Sequence, residues 1–207
     1  MQIIDFKKDK LHLTRVFLSS GSEVLLDNDV VFEKSLQKGL EIDEKYLEEL
    51  KLLSDYLRAK SRAVWYLDRS AHTEKGLYDK LVRAGFSKQA CAKVIARFIE
   101  VGLLDDKRYA ENYAERLMNA NVSKREAVQK MLQKGVPYDL AKQVLEETES
   151  DEDTQIRNLI EKKYRSKLQS ENGAKKVFDA LARKGFSFSA IREALKSYIE
   201  ELEETYV

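Results

Sequence analysis

Few side chains in this chain have types and spacing that could do acid, base, nucleophilic or metal chemistry. Two histidines, His12 and His72, one thiol, Cys91, and two pairs of adjacent acids, Asp105-Asp106 and Glu146-Glu147, are the main candidates. His12 falls in a predicted strand and His72 in a predicted loop, too separated in sequence to suggest a metal cluster or a catalytic triad. The paired acids hint at a magnesium site. Asp106, however, precedes the apolar set Tyr109, Ala110, Tyr113 and Leu117, where an acid caps a helix and complements its N-terminal dipole. Cys91 lies in an apolar helical pattern, so a buried thiol in a reducing interior is expected rather than a disulfide or a multi-thiolate site. No GxxxxGK[ST], no GxGxxG after a strand and no GxSxG occurs. These residues predict no catalytic centre, no metal and no cofactor, and point to a protein that works by binding.

The charges that recur are more informative. Lys75, Arg125 and Lys175 share one register, two residues past predicted helix caps at Thr73, Ser123 and Gly173. A cation there opposes the helix dipole by about 0.3–1 kcal/mol. Its recurrence suits a side chain that faces an anion, such as phosphate or carboxylate, together with free backbone N–H groups. A solvated charge in a chain with 35% charged residues is the competing reading. A second group, Arg83, Lys88, Lys134, Arg183 and Lys184, gathers near the other end of the same helices, where positive charge complements the dipole. These eight residues are the candidate partner- or DNA-contacting set. The net charge of +1 conceals a basic middle, with 15 basic and 9 acidic side chains in residues 61–135, which suits a polyanion or an acidic protein surface. Tyr78, Tyr109 and Tyr198 fall on apolar faces, favouring core packing over stacking on unpaired bases.

The elements that must carry these residues are mainly helical. The segments Leu81-Val82-Arg83-Ala84-Gly85-Phe86, Met131-Leu132-Gln133-Lys134-Gly135-Val136 and Leu181-Ala182-Arg183-Lys184-Gly185-Phe186 align at steps of 50 residues, the mark of stacked supersecondary units. From each cap a helix buries Leu77/Ala127/Val177, Tyr78/Val128/Phe178 and Leu81/Met131/Leu181, then stops at the glycine. A second helix begins at Ser87, Pro137 or Ser187, with Cys91/Ala141/Ile191, Val94/Val144/Ala194, Ile95/Leu145/Leu195 and Phe98/Thr148/Tyr198 on its apolar face. A further helix precedes each pair: one over Asp43–Arg69, either unbroken or with a break near Lys60-Ser61, one over Asp106–Asn119 and one over about Asp153–Gln169.

The predicted organisation is therefore a β-hairpin segment over residues 1–42, followed by three-helix repeats over 43–104, 105–152 and 153–207 in an elongated, curved stack. The hairpin is read from β-favouring runs at Leu11–Leu18 and Val24–Phe32 around Ser19-Ser20-Gly21-Ser22. The acidic close from Glu200 to Val207 either caps the stack or precedes a further unit. No apolar run long enough for a membrane span occurs, and acids near the start replace the apolar region of a signal peptide, so a cytoplasmic chain is expected.

One stretch matches a known pattern. Gly102-Leu103-Leu104-Asp105-Asp106-Lys107-Arg108-Tyr109-Ala110, with Tyr113 and Arg116, then Lys124-Arg125 and Leu132-Gln133-Lys134-Gly135-Val136, closely resembles the core of the RecX family of RecA regulators. The resemblance covers about residues 60–200 and is strongest over 98–136. It implies a monomer that lies in the helical groove of the RecA filament on single-stranded DNA. There it would bridge RecA subunits and inhibit ATP hydrolysis, strand exchange and co-protease activity without catalysing anything itself. Direct binding to single- or double-stranded DNA is the alternative. Two features depart from the family: Thr73 lacks an acid three residues on, and residues 1–45 match only weakly.

Overall fold

Along Leu13–Leu18 the side chains of Thr14, Val16 and Leu18 turn inward and alternate with more exposed neighbours, the period-two pattern of a half-buried strand. The computed structural model describes residues 1–10 and 12–205, with side chains to residue 200. In it β1 (Ile3–Lys8), β2 (Leu13–Leu18) and β3 (Glu23–Asp27) form an antiparallel sheet in the order β1-β2-β3. The expected hairpin is β2–β3, which turns through Gly21. Two things differ from the sequence reading. Strand β1 pairs with the other edge of β2, with a register shift between Ile3 and Asp5. The second β-favouring run ends at Asp27, whose carboxylate accepts the N–H of Asp29 and starts helix α1 (Asn28–Glu33). This local side-chain bond wins over the β-propensity of Val30 and Val31. Leu11, Tyr206 and Val207 lie outside the described residues, as do the side chains of the acidic close from Glu201.

Helix α2 (Glu44–Leu67) starts at Asp43, which accepts the Tyr46 N–H at 2.6 Å, and takes the unbroken form through Lys60-Ser61. Its length is sustained by burial at both ends. Leu47 and Leu50 pack on the sheet core with Ile3, Val16, Leu18 and Leu26, and the Ser54 hydroxyl accepts the Asp27 N–H at 2.7 Å. Further along, Ala59 and Ala63 pack with Leu77 and Leu81 of α3 (Glu74–Arg83) and with Cys91, Val94 and Phe98 of α4 (Lys88–Glu100). Tertiary packing of an apolar face, more than intrinsic propensity, supports a helix of this length.

The chain folds as two units, Met1–Asp105 and Asp106–Val207. The first holds the sheet and α1 to α4. The second holds α5 (Asp106–Asn119), α6 (Lys124–Gln133) and α7 (Tyr138–Glu147) around one core. It continues with α8 (Glu152–Leu159), a π-helical turn (Ile160–Tyr164), α9 (Arg165–Leu168), α10 (Gly173–Arg183) and α11 (Phe188–Thr205) around another. The π turn interrupts the helix expected over Asp153–Gln169. The protein is thus mainly helical, with three three-helix units and a small N-terminal sheet. Among the described residues no helix is long and apolar enough to cross a membrane.

The repeat is physical as well as textual. Gly85, Gly135 and Gly185 have φ near +90°, and the amide after each donates to Leu81, Met131 or Leu181. Each helix therefore closes with a left-handed residue that only glycine adopts cheaply. All three residues of the Leu77/Ala127/Val177 set and of the Leu81/Met131/Leu181 set are fully buried.

Candidate partner-binding surface

The three registered helix starts share a sequence position but not an environment. Thr73 is buried, and its hydroxyl accepts the Gly76 N–H at 2.9 Å even without an acid three residues on. Two positions along, Lys75 is exposed and pairs with Asp79 at 3.1 Å. In the second unit Ser123, only 2% exposed, accepts the Glu126 N–H at 3.2 Å and donates to the Lys184 carbonyl at 2.5 Å. The Glu126 carboxylate pairs with Lys130 at 3.1 Å and approaches Lys184 at 4.0 Å. The start of α6 thus meets the turn between α10 and α11. Arg125 lies against that turn, since a Cβ built on Gly185 would fall 2.9 Å from the Arg125 Cβ.

Gly173 departs from the reading of it as a cap. It is the first residue of α10, Asn172 precedes it at φ +56°, and no side-chain cap forms. A Cβ there would sit 2.3 Å from the Lys167 carbonyl oxygen, so glycine is required by close approach to the end of α9. Lys175, two residues on, is exposed, with no ion pair among the described residues. At the start of α6 the Lys184 carbonyl accepts from the Ser123 hydroxyl, and at the start of α10 the Gly173 N–H donates to the Ser170 carbonyl at 2.8 Å.

Of the second group, Arg83 is exposed and donates to the Asp79 carbonyl at 3.1 Å, while Lys88 and Arg183 are exposed. Lys134 is exposed and Lys184 half-buried. The structure brings Arg125 and Lys184 to one junction.

The residues that might have done chemistry have structural settings. His72 lies edge-on to Tyr66 and approaches Ser70 and Lys80, and His12 occupies a turn at φ +70°. Cys91 is buried, its thiol 3.8 Å from the Phe86 carbonyl, and burial pushes its pKa up. Asp105, not Asp106, precedes α5, and Asp106 sits in its first turn. Glu147 joins Glu111, Glu115 and Glu149 along an open groove of about 530 Å³, yet no group of three metal-ligating side chains converges among the described residues. Tyr109 and Tyr113 are half-buried, their ring centres 6.0 Å apart and tilted by 43°, with burial raising the Tyr109 pKa.

Sequence reasoning missed two features. Carboxylates on the first helix of a unit bind the start of its last helix: Asp55 accepts the Ser87 N–H at 2.7 Å, and Glu152 accepts from the N–H and hydroxyl of Ser187 at 2.8 and 2.9 Å. The second unit has Pro137 at this position, which has no N–H to give. The other feature is the stripe Arg58, Arg62 and Trp65 on α2, continued by Arg69 in the turn after it, whose helical spacing is overshadowed by the stronger apolar pattern.

Three tandem three-helix units that carry exposed cations define a helical-repeat protein. The first three-helix domain of RecX matches residues 59–98, the second 105–145 and the third 151–195, and the chain belongs to the RecX family. It is 27% identical over 204 residues to the regulatory protein RecX of Clostridium tetani, covering 96% of this chain and 92% of that one. It is 29% identical over 194 residues to the regulatory protein RecX of Caldanaerobacter subterraneus, covering 91% and 95%. A crystal structure of regulatory protein RecX superposes over 95% of this chain and 98% of its own, with a TM-score of 0.68 and 24% identity. That of RecX from Lactobacillus salivarius covers 69% and 96%, with a TM-score of 0.62 and 24% identity. These two likenesses speak for the fold.

Proposed function

We propose that this chain is a non-enzymatic, monomeric, cytoplasmic regulator that binds the RecA filament on single-stranded DNA in its helical groove. Bound there, it restrains the filament and lowers RecA ATP hydrolysis, strand exchange and co-protease activity. The observation that carries this reading is the match of all three RecX domains, in order, to the three helical units, joined by relatives named as regulatory proteins along nearly the whole chain. Lys75, Arg83, Lys88, Arg125, Lys134, Lys175, Arg183 and Lys184 are the proposed contacts; all but half-buried Lys184 are exposed.

Co-sedimentation with RecA on single-stranded DNA, beside DNA alone, tests the partner. The chain is expected to pellet with the filament, and binding to naked DNA only would overturn the reading. RecA ATPase is expected to fall as the chain is titrated, and an unchanged rate at saturating binding would contradict inhibition. Charge reversal at Lys75 and Lys175 tests the contact set without touching the packed junction at Arg125. Unchanged filament affinity would remove these two lysines from it.

A further inference from the structure

Away from its buried face, α2 carries Arg58, Arg62 and Trp65, spaced i, i+4 and i+7 along one side of the helix, and Arg69 follows in the turn just past its end. All four are exposed. The Arg69 guanidinium carbon lies 3.5 Å from the centre of the Trp65 ring and that of Arg62 5.2 Å away, while Arg58 lies 5.8 Å from the ring of Phe86. Arg58, Arg62, Trp65 and Phe86 line an open groove of about 600 Å³, which His12 and Asp29 also line.

No ion pair within the fold accounts for this stripe. Several helical cations elsewhere, among them Lys51, Lys75, Lys107, Lys142 and Arg165, pair with an acid three or four residues away, while others, such as Lys175, do not. Arg58, Arg62 and Arg69 form no ion pair among the described residues, and Arg69 donates to the Trp65 carbonyl at 3.0 Å. The acid three residues before Arg58 is Asp55, whose carboxylate is taken by the Ser87 amide. Arg58 and Arg62 stand as like charges at i, i+4, an arrangement that weakens a helix. Trp65 leaves 42% of its surface in solvent, although a large ring gains most from burial.

Guanidinium groups without an acid partner suit phosphates, and half-open aromatic and guanidinium planes suit bases that are free to stack. A paired duplex offers the first interaction without the second. An acidic protein surface would satisfy the arginines and leave the exposed indole unexplained. We propose that this face of α2 docks a segment of single-stranded nucleic acid, with phosphates at Arg58, Arg62 and Arg69 and a base stacked at Trp65. The assignment does not rest on the filament reading, and it is tested without RecA.

Trp65 is the only tryptophan in the chain, so its emission reports this face alone. Titrating the full chain with an oligothymidylate is expected to quench that emission saturably. The logarithm of affinity is expected to fall with the logarithm of salt at a slope of about −2, since each phosphate contact with a single strand contributes about −0.7. Arg62→Ala is expected to flatten the slope by about 0.7 and weaken binding. Trp65→Ala, followed by anisotropy of a labelled oligonucleotide, is expected to lose roughly ten-fold or more in affinity, the effect of removing one stacked base. Lys142→Ala, which removes the same charge from an exposed site in the second unit, is expected to leave binding unchanged. Quenching of equal strength by a duplex of the same length, or by polyglutamate, would overturn the assignment. So would oligonucleotide binding that neither Arg62→Ala nor Trp65→Ala weakens.

Discussion

Gly185→Ala and Gly85→Ala add the same methyl group to equivalent turns, yet the structure assigns them different costs. Both residues sit at φ near +90°, so either alanine carries left-handed strain of about 1–2 kcal/mol. Around Gly85 a Cβ meets nothing within 4 Å, and strain is the whole effect. At Gly185 the Cβ would lie 2.9 Å from the Arg125 Cβ and 3.0 Å from the Ser123 Oγ, at the junction of the second and third helical units. The Arg125 Cβ is bound to its backbone and cannot swing aside as the end of a flexible side chain would. Overpacking there adds about 1–3 kcal/mol, for a total of about 2–5 kcal/mol. Urea denaturation followed by far-UV circular dichroism reads both units, and Trp65 emission reads the first. Gly185→Ala is expected to lower the stability of the second unit by clearly more than Gly85→Ala lowers that of the first. Equal losses would show that the contact between the α10–α11 turn and the start of α6 is not made.

Other outcomes follow from the same contacts. Ser123→Ala removes a helix cap and leaves the Lys184 carbonyl without its donor, so a loss of about 2–4 kcal/mol is expected in urea denaturation; a loss near 0.5 kcal/mol would leave only the cap. Gly173→Ala is expected to disturb the α9–α10 approach more than either turn variant, visible as shifted amide resonances through Lys167 and Leu168, and an unshifted spectrum would contradict that packing. Cys91 is expected to resist a thiol reagent at neutral pH in the native chain and to react once per chain after unfolding, because it is buried and its thiol pKa is raised. Glu161 is held below the usual carboxylate range, first by the Tyr198 hydroxyl and then by Arg165. A lowered acid contributes stability above its unfolded pKa that is lost as pH falls through its folded pKa. Carbon-detected titration is expected to show Tyr198→Phe raising the Glu161 pKa, and no change would remove that hydrogen bond.

Much of the fold was legible because its signals are local. Thr73 and Ser123 cap helices within three residues of themselves, and the glycine stops at 85, 135 and 185 close bonds that reach back five positions or fewer. Gly173 fitted the same register for another reason. Its need for a bare Cα comes from the end of α9, and the sequence carries no mark of that approach. Strand β1 was missed because only Ile3 and Phe6 of its apolar residues turn toward the core, too weak a pattern to stand without its partner β2. The cations Lys75, Arg125 and Lys175 were correctly seen as periodic, but the sequence is silent on what each faces. The stripe on α2 was readable as spacing; its exposure, missing ion pairs and proximity to Phe86 were not.

By itself, then, the sequence determined where helices start and stop, which residues of each unit are buried together and which family the motif resembles. Capping, glycine stops and a 3.6-residue period all act within a few turns of chain. The tertiary structure decided which helix start meets a distant turn, which glycines have no room for a side chain and which arginines stand without an ion pair beside an exposed indole. Those depend on groups brought together from distant positions, where distance and competition for partners, rather than residue type, set the outcome.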